Sequence, residues 1–441
     1  MASTPVVALE SDRAVYRKIA WRIIPFLLLC YMLATIDRFN IGFAKLQFLQ
    51  DLGLNDAVYG LAAGIFSVGY VLFEVPSNLY LDKTGVRRTL LRIMVLWGVV
   101  TCLLMFAQNA THLYVLRFLL GAAEAGFFPG ILLYLTYWFP DRLRGRMTSL
   151  FVVAVPVGGI IAGPLSGWIM EQLHGVGGYR GWQWLFLTEG APAILCGIAA
   201  YFYLSDGPAS ANWLNDDEKN IVLSELETER AARTTKSGSF QEALRDPKVY
   251  VLAFIYFAYF CSLNTLLLWT PSVLKSMPGQ TVSSVGWTSG AISLVSTVGM
   301  LLVGYSSDRH MERRWHIALC GFAASASFLL LPLAAHHLMA TVVLLAIASV
   351  GIFSVLGLFW TIPTGYLGRA AAAGGLALIT SIGSFGGAVS PALIGQIKVM
   401  TGSLYIGLGV IAVVLAVSML SLLVCVPRAT PSRSASQQRA R

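Results

Sequence analysis

Charge is what this chain has least of. Only 12% of its 441 residues are Asp, Glu, Lys or Arg, about half of the roughly 25% usual in water-soluble domains. Mean hydropathy is +0.69 and 56% of the residues are hydrophobic, which excludes an ordinary soluble fold. Cysteine is also sparse. The six, Cys30, Cys102, Cys196, Cys261, Cys320 and Cys425, stand singly in apolar runs. Without a CxxC or a His cluster, neither a disulfide framework nor a metal centre is indicated, and each reads as a small buried hydrophobe. HExxH, GxSxG and P-loop patterns are missing, and no polar segment is long enough for a catalytic domain. The first apolar run lacks a small-residue cleavage site, so it reads as a retained span. A net charge of +9 in such a chain reflects loop bias toward one side of a membrane, not nucleic-acid binding.

What is present is a series of twelve apolar segments, each long enough to cross a bilayer. Their approximate cores are 21–43, 57–81, 89–108, 111–135, 146–170, 183–204, 249–271, 284–305, 315–335, 339–361, 370–395 and 403–426. If both chain ends are cytoplasmic, only Lys45, Arg180, Lys275 and Lys398 of the 31 Lys and Arg fall outside, and Arg38 and Arg117 fall within spans. All others lie inside, as the positive-inside rule requires. The expected fold is an all-α membrane protein of twelve transmembrane helices in two six-helix pseudo-symmetric bundles, 1–204 and 248–427. Between them, 205–247 is a cytoplasmic linker with an amphipathic helix carrying Ile221, Val222, Leu223 and Leu226. The Ser/Arg-rich tail at 428–441 reads as disordered.

The halves echo each other. Asp82 is followed by Arg87-Arg88, and Asp308 by Arg313-Arg314, with the acids 226 residues apart. Gly163-Pro164 in span five answers Ser390-Pro391 in span eleven, with the prolines 227 apart. Such a six-plus-six repeat places a substrate site between the halves, near the middle of the membrane.

Charges inside spans mark the working residues, because each is costly there. The acids are Asp37, Glu74, Glu124 and Glu189 and the bases Arg38 and Arg117, all in the first half. Arg117 and Glu124 lie seven residues apart in a stretch, 116–140, that is otherwise apolar. They therefore share a helix face, about 10 Å apart along the axis. A guanidinium can take a carboxylate bidentately, and a buried acid near a cation can load and release a proton as its surroundings change. This pattern points to a transporter of organic anions coupled to protons. The opposing reading is that each arginine pairs permanently with Asp37 or Glu124 and only holds helices together. Glu189, beside Gly190 and Pro192, reads as structural.

Several stretches resemble a known family. The Asp82 loop and its Asp308-Arg309 echo are similar to the signature loop of the major facilitator superfamily, although Asn78 stands where that signature usually has Gly. Asp37-Arg38-Phe39-Asn40-Ile41-Gly42, Glu74-Val75-Pro76-Ser77-Asn78, residues 117–130 and Gly181-Trp182-Gln183-Trp184-Leu185-Phe186 resemble the anion:cation symporters, in the bacterial branch of tartrate, phthalate and aromatic-acid permeases. The resemblance implies the major facilitator fold in a bacterial inner membrane. It also implies import of a small carboxylate, a tartrate-like dicarboxylate or an aromatic acid, by proton symport with alternating access. Substrate contacts would come from Arg38, Arg117, Tyr70, Trp360, Tyr31 and Thr380. Asp37 and Glu124 would couple protons, and Asp82, Arg87, Arg88, Asp308, Arg309 and Glu74 would gate. The loop acids and arginines would hold the outward-facing state. No cofactor is expected, protons serve better than sodium as coupling ion, and the chain is expected to act as a monomer in the lipid bilayer. The rival expectation is an efflux antiporter for drugs or organic ions, which the Gly163-Pro164-Leu165-Ser166-Gly167 motif also fits; a membrane receptor or enzyme is the remaining class.

Overall fold

The structure, a computed structural model, describes residues 5–233, 246–366 and 372–426. Among these, twelve helices are long and apolar enough to span a membrane, as the hydropathy pattern requires. The first half comprises α1 (Pro5–Asp51), α2 (Asp56–Thr84), α3 (Val86–Leu103), α4 (Ala110–Glu124), α5 (Phe127–Trp138), α6 (Asp141–Val152), α7 (Ala154–Gln172) and α8 (Gly181–Tyr203). After the linker helix α9 (Asp216–Arg233) come α10 (Pro247–Lys275), α11 (Val282–His310), α12 (Arg314–Leu330), α13 (Leu338–Phe359), α14 (Thr361–Tyr366), α15 (Ala372–Thr401) and α16 (Leu404–Cys425). Helix is the element that satisfies its own backbone groups in lipid, so these apolar runs become helices even across the interior Pro25, Pro76, Pro164, Pro192, Pro271 and Pro391.

One span departs from the expectation of a continuous helix. The fourth, Ala110–Trp138, breaks directly after Glu124: Ala125 is extended at the ψ angle (φ −57°, ψ 133°) and Gly126 has φ 86°. Only glycine adopts that φ freely, and a Cβ there would also lie 2.5 Å from Ser77 Oγ. Hydropathy is blind to such a break, because its residues are as apolar as a helix would need. Glu124 thereby becomes the last residue of α4.

The two bundles meet along α2 with α15, α7 with α11, and α1 with α10. The face bearing the linker is called here the linker face, and the opposite one the far face. Contacts between the bundles cluster toward the far face and depend on small residues. A Cβ on Gly60 would sit 2.2 Å from Pro391 O, one on Gly64 2.4 Å from Ala388 O, and one on Gly286 2.3 Å from Gly163 O. These glycines let backbones touch, which is how helices pack without a hydrophobic driving force in lipid. Toward the linker face, Leu72, Phe73, Val75 and Leu79 of α2 and Leu301, Leu302 and Tyr305 of α11 are exposed. Among the described residues, the glycine contacts that join the bundles lie in the half nearer the far face.

Helix α9 is bound to the first bundle by ion pairs. Lys18 Nζ lies 2.7 Å from Glu218, Tyr16 donates to Glu225 at 2.8 Å, Arg142 Nε reaches Glu225 at 2.8 Å and Arg144 meets Glu229 at 3.3 Å. Trp213, just before the helix, stacks on Trp138 with centroids 5.5 Å apart. The linker helix is an outer layer on the first bundle. Residues 234–245 of the linker and the tail at 428–441 lie outside the described residues.

Hydrogen bonds from Lys18 and Arg142 hold the Glu218 and Glu225 carboxyls below the usual carboxylate range. Carboxylates lowered in the docked state stabilise docking above their undocked pKa, about 4.3, and that contribution is lost as pH falls through the lowered values. Hydrogen–deuterium exchange in 216–226, taken relative to the intrinsic chemical rate at each pH, is therefore expected to be slow and constant from pH 8 to about 5, then to rise at more acid pH. Glu225→Gln should raise it at neutral pH as well.

Candidate functional site

Helix α1 delivers two neighbouring charged side chains in opposite senses. Arg38 turns to α4, where its Nε lies 2.6 Å from Glu124 Oε1 and its Nη2 2.5 Å from the same oxygen. Glu124 is fully buried, whereas the Arg38 side chain is 36% exposed. Glu124 Oε2 has no hydrogen-bond partner. One carboxylate oxygen thus takes the whole guanidinium contact and the other is left over, less than the bidentate fork such a pair can make. The Tyr70 ring of α2 lies 5.4 Å from the Arg38 guanidinium carbon, so this cation has an aromatic floor.

Asp37 turns the other way and is buried. Asn40 Nδ2 donates to its Oδ1 at 2.9 Å, and Trp97 and Thr101 of α3 face it. Arg117, 3% exposed, lies within electrostatic range of Asp37, Glu124 and Arg38. It forms no ion pair within 4.0 Å among the described residues, its Nε has no partner, and its guanidinium carbon stands 4.6 Å over the Phe66 ring. Shared-face spacing on α4 correctly placed Arg117 and Glu124 together in the buried interior. Of the pairs that the static reading requires, Arg38 with Glu124 is present, and among the described residues Arg117 has none.

The neutral candidates divide between the bundles. Tyr31 stacks on Phe151 with centroids 4.6 Å apart and meets Phe128 at 5.5 Å. Across the interface, Tyr256 of α10 packs against Trp360 at 4.9 Å and lies within electrostatic range of Tyr31 and Glu74. Tyr31, Tyr70, Glu124 and Glu74 thus lie within electrostatic range of Arg38, and Tyr256 of the second bundle lies within range of Tyr31 and Glu74. Glu74 is also within range of Arg38, closer to the charged centre than a purely gating role requires. Thr380 on α15 donates to Leu376 O at 2.9 Å. Tyr256 and its neighbour Tyr259, whose hydroxyl is buried without a partner, were not legible in the sequence: a tyrosine in an apolar span has no local signal of facing a cavity.

Among the described residues, none of the loop charges expected to gate is ion-paired across the bundles. Asp308 pairs with Arg313 rather than with Arg309, which is exposed. The Arg87 backbone N–H donates to Asp206 at 3.0 Å and its Nε to Tyr201 O at 2.7 Å, while Arg88 is exposed. The side chain of Asp82 lies outside the described residues.

The far face holds a charged contact that sorting by loops obscured. Lys45, assigned by hydropathy to an outer loop, is 4% exposed and reaches Asp56 at 2.8 Å; Lys398 of α15 reaches the other Asp56 oxygen at 2.7 Å. Lys45 Nζ also lies 3.5 Å from the Trp269 ring centroid and 4.2 Å from that of Tyr59. Tyr59 in turn donates to Leu268 O at 2.8 Å, and Glu171 accepts from Ser283 N at 2.9 Å. One acid of the first bundle thus joins a lysine from each bundle. Removing a buried ion-pair partner typically costs about 3–5 kcal/mol, so Asp56→Asn should shift the population away from far-face closure by at least about tenfold. Electron-resonance distances between labels at the far ends of α2 and α15 would lengthen; unchanged distances would refute the latch.

The Major Facilitator Superfamily profile matches residues 27–391. A protein of Agrobacterium vitis, provisionally named a tartrate transporter, is 43% identical over 98% of this chain and 96% of its own length. A quinolone resistance transporter of Acinetobacter baumannii is 37% identical over 92% of this chain and 94% of its own. Among solved structures, the inward-open xylose transporter XylE of Escherichia coli superposes with a TM-score of 0.74 at 13% identity, covering 96% of this chain and 99% of that one. At that identity the likeness speaks for the fold. The twelve helices, the paired bundles and a profile match across nearly all of them lead to one conclusion: the chain belongs to the Major Facilitator Superfamily and is a membrane transporter, not an enzyme.

Proposed function

We propose that this transporter is a secondary active permease of the anion:cation symporter type, importing a small organic anion together with protons by alternating access. The observation that carries the reading is Arg117: a buried cation with no acid among the described residues within ion-pair distance, beside a second arginine whose acid partner uses only one oxygen. A dicarboxylate of tartrate size or an aromatic carboxylate is the substrate class this arrangement suits, and the name of the Agrobacterium relative supports the former. In this reading the linker face is cytoplasmic, with both termini there, in a bacterial inner membrane. The positive-inside asymmetry of the loops supports that orientation. The structure then corresponds to the inward-facing state.

The chemistry follows from charge balance. A substrate carboxylate that engages Arg38 competes with Glu124 for the same guanidinium. Glu124, displaced and buried, takes a proton instead of standing as an unpaired charge. Asp37, one residue from Arg38 and within range of Arg117, is the second proton stop. Tyr31, Tyr70, Trp360 and Thr380 would supply neutral contacts to the rest of the substrate. Moving each negative charge toward a negative interior costs about 2.3 kcal/mol per 100 mV, so protons exceeding the substrate's charge make accumulation favourable. Asp82, Arg87, Arg88, Asp308 and Arg309 would clasp the bundles when the linker face closes, with Glu74 beneath them. The chain would work as a monomer without a cofactor, with protons favoured over sodium.

A second reading, export of a drug or organic ion, is favoured by the quinolone resistance relative. Direction of flux separates the two. In vesicles with an inward proton gradient, labelled tartrate or a small aromatic acid should accumulate, and a protonophore should abolish the uptake. Arg117→Ala should raise KM about 10- to 100-fold, the worth of a charge-assisted hydrogen bond. Glu124→Gln should retain exchange and lose proton-driven accumulation. Proton-driven loss of preloaded substrate would instead establish export, and full accumulation in both variants would remove these residues from the site.

A further inference from the structure

Glu189 is the intramembrane acid to which neither the charge exchange nor the gating above gives a part. It lies on α8, 4% exposed. Ser166 of α7 donates to its Oε1 at 2.9 Å, while its Oε2 has no partner. The Asn40 carboxamide faces the same carboxyl, and Asp37 lies within electrostatic range. From α3, Cys102 packs against neighbouring Gly190, and Trp97 and Thr101 face Asp37. Among the described residues no Lys, Arg or His comes within ion-pair distance of Glu189. Asn40, itself fully buried, gives an Nδ2 hydrogen to Asp37 at 2.9 Å, and its Oδ1 also has no partner.

Two arguments lead from these contacts to a proton. Glu189 Oε2 and Asn40 Oδ1 are both buried acceptors without a partner, and one hydrogen on the carboxyl, shared with Asn40, would satisfy both. The group in this cluster able to gain one is a carboxyl. Charge balance agrees: Arg38 and Arg117 are matched by Asp37 and Glu124, so an ionised Glu189 would stand alone in the membrane interior. Depth gives the cluster a direction. Trp182 Nε1 donates to Asp51 at 2.9 Å, which aligns the far ends of α8 and α1. At 1.5 Å per residue, Glu189 lies about 10 Å below that level, Asn40 about 16 Å and Asp37 about 21 Å. The three form a descending string from Glu189 to the acid beside Arg38.

We propose that Glu189 is an uncharged, proton-bearing acid that anchors Asn40 and, through Asn40, fixes the hydrogen bond on which proton exchange at Asp37 depends. It is a positioning residue: its proton stays, and the proton that moves is Asp37's. The role at Asp37 rests on the proton-coupled reading above, whereas the proton on Glu189 does not.

Infrared spectra of the purified full chain in lipid nanodiscs test the assignment without any substrate. At neutral pH, wild type should show a carboxylic-acid C=O band that Glu189→Gln removes and Asp37→Asn retains; absence of a Glu189-dependent band would overturn the assignment. Transport against pH tests the positioning role. Glu189→Gln, whose amide can still accept from Ser166 and donate to Asn40, should keep the wild-type midpoint and proton stoichiometry. Glu189→Leu and Asn40→Ala should each move the midpoint by about one pH unit or more, the worth of one hydrogen bond to a charged group. If Glu189→Gln loses coupling, Glu189 carries the moving proton itself and the positioning role is wrong. If wild-type uptake ignores pH, the symport reading fails together with the role at Asp37, and the infrared band alone decides the state of Glu189.

Discussion

The Arg38–Glu124 ion pair is the contact on which the first bundle's interior is arranged. It joins α1 to α4 with the Glu124 carboxylate fully buried, where an unpaired charge is costly, and the main chain is shaped to permit it. Helix α4 ends at Glu124, and Gly126 turns the chain with a backbone angle other residues avoid. Broken helices recur at transporter sites because freed backbone and redirected side chains line a cavity. Here the break also separates Glu124 from the helix that carries the span onward.

Around that pair, charge and neutrality are divided between the bundles. The intramembrane acids and bases belong to the first bundle, and the second contributes aromatic rings such as Tyr256 and Trp360. The division has a mechanical consequence. Charge compensation is completed within one rigid unit, so the bundles can part without stripping an ion pair at the centre. Where charge does cross between bundles, from Asp56, already paired with Lys45, to Lys398, it lies at the far face, beside the glycine contacts that join the bundles. A salt bridge exposed when that face opens is regained on closing, which suits a reversible latch better than a permanent strut.

Much of the fold was legible because hydropathy is a local property. Segments near twenty apolar residues become spans, and the twelve expected appear as twelve. The repeat of Asp82 and Asp308 loops predicted the paired bundles for a similarly local reason. Site residues were legible when they were charged, since a charge in a span is anomalous wherever it points. Arg38, Arg117, Asp37 and Glu124 all fall in the first bundle's buried interior or at its edge. Illegible were the neutral partners. Asn40, Tyr256 and Tyr259 carry no charge to mark them in an apolar span, and Lys45 stands near a span end, where hydropathy reads a loop although α1 buries it.

By itself, the sequence determined that this is a twelve-span membrane protein with an internal repeat and its intramembrane charges in one half. Each of those depends only on composition along short windows. Tertiary structure decided which charges pair. Arg38 takes Glu124, Asp37 takes Asn40 and Arg117 takes neither, because partner choice is set by helices up to 86 positions apart. It also decided that span four breaks at Gly126 and that Glu189 joins the cluster through Asn40. Side-chain direction on a packed helix depends on its neighbours' rotation and depth, which no linear pattern of residues specifies.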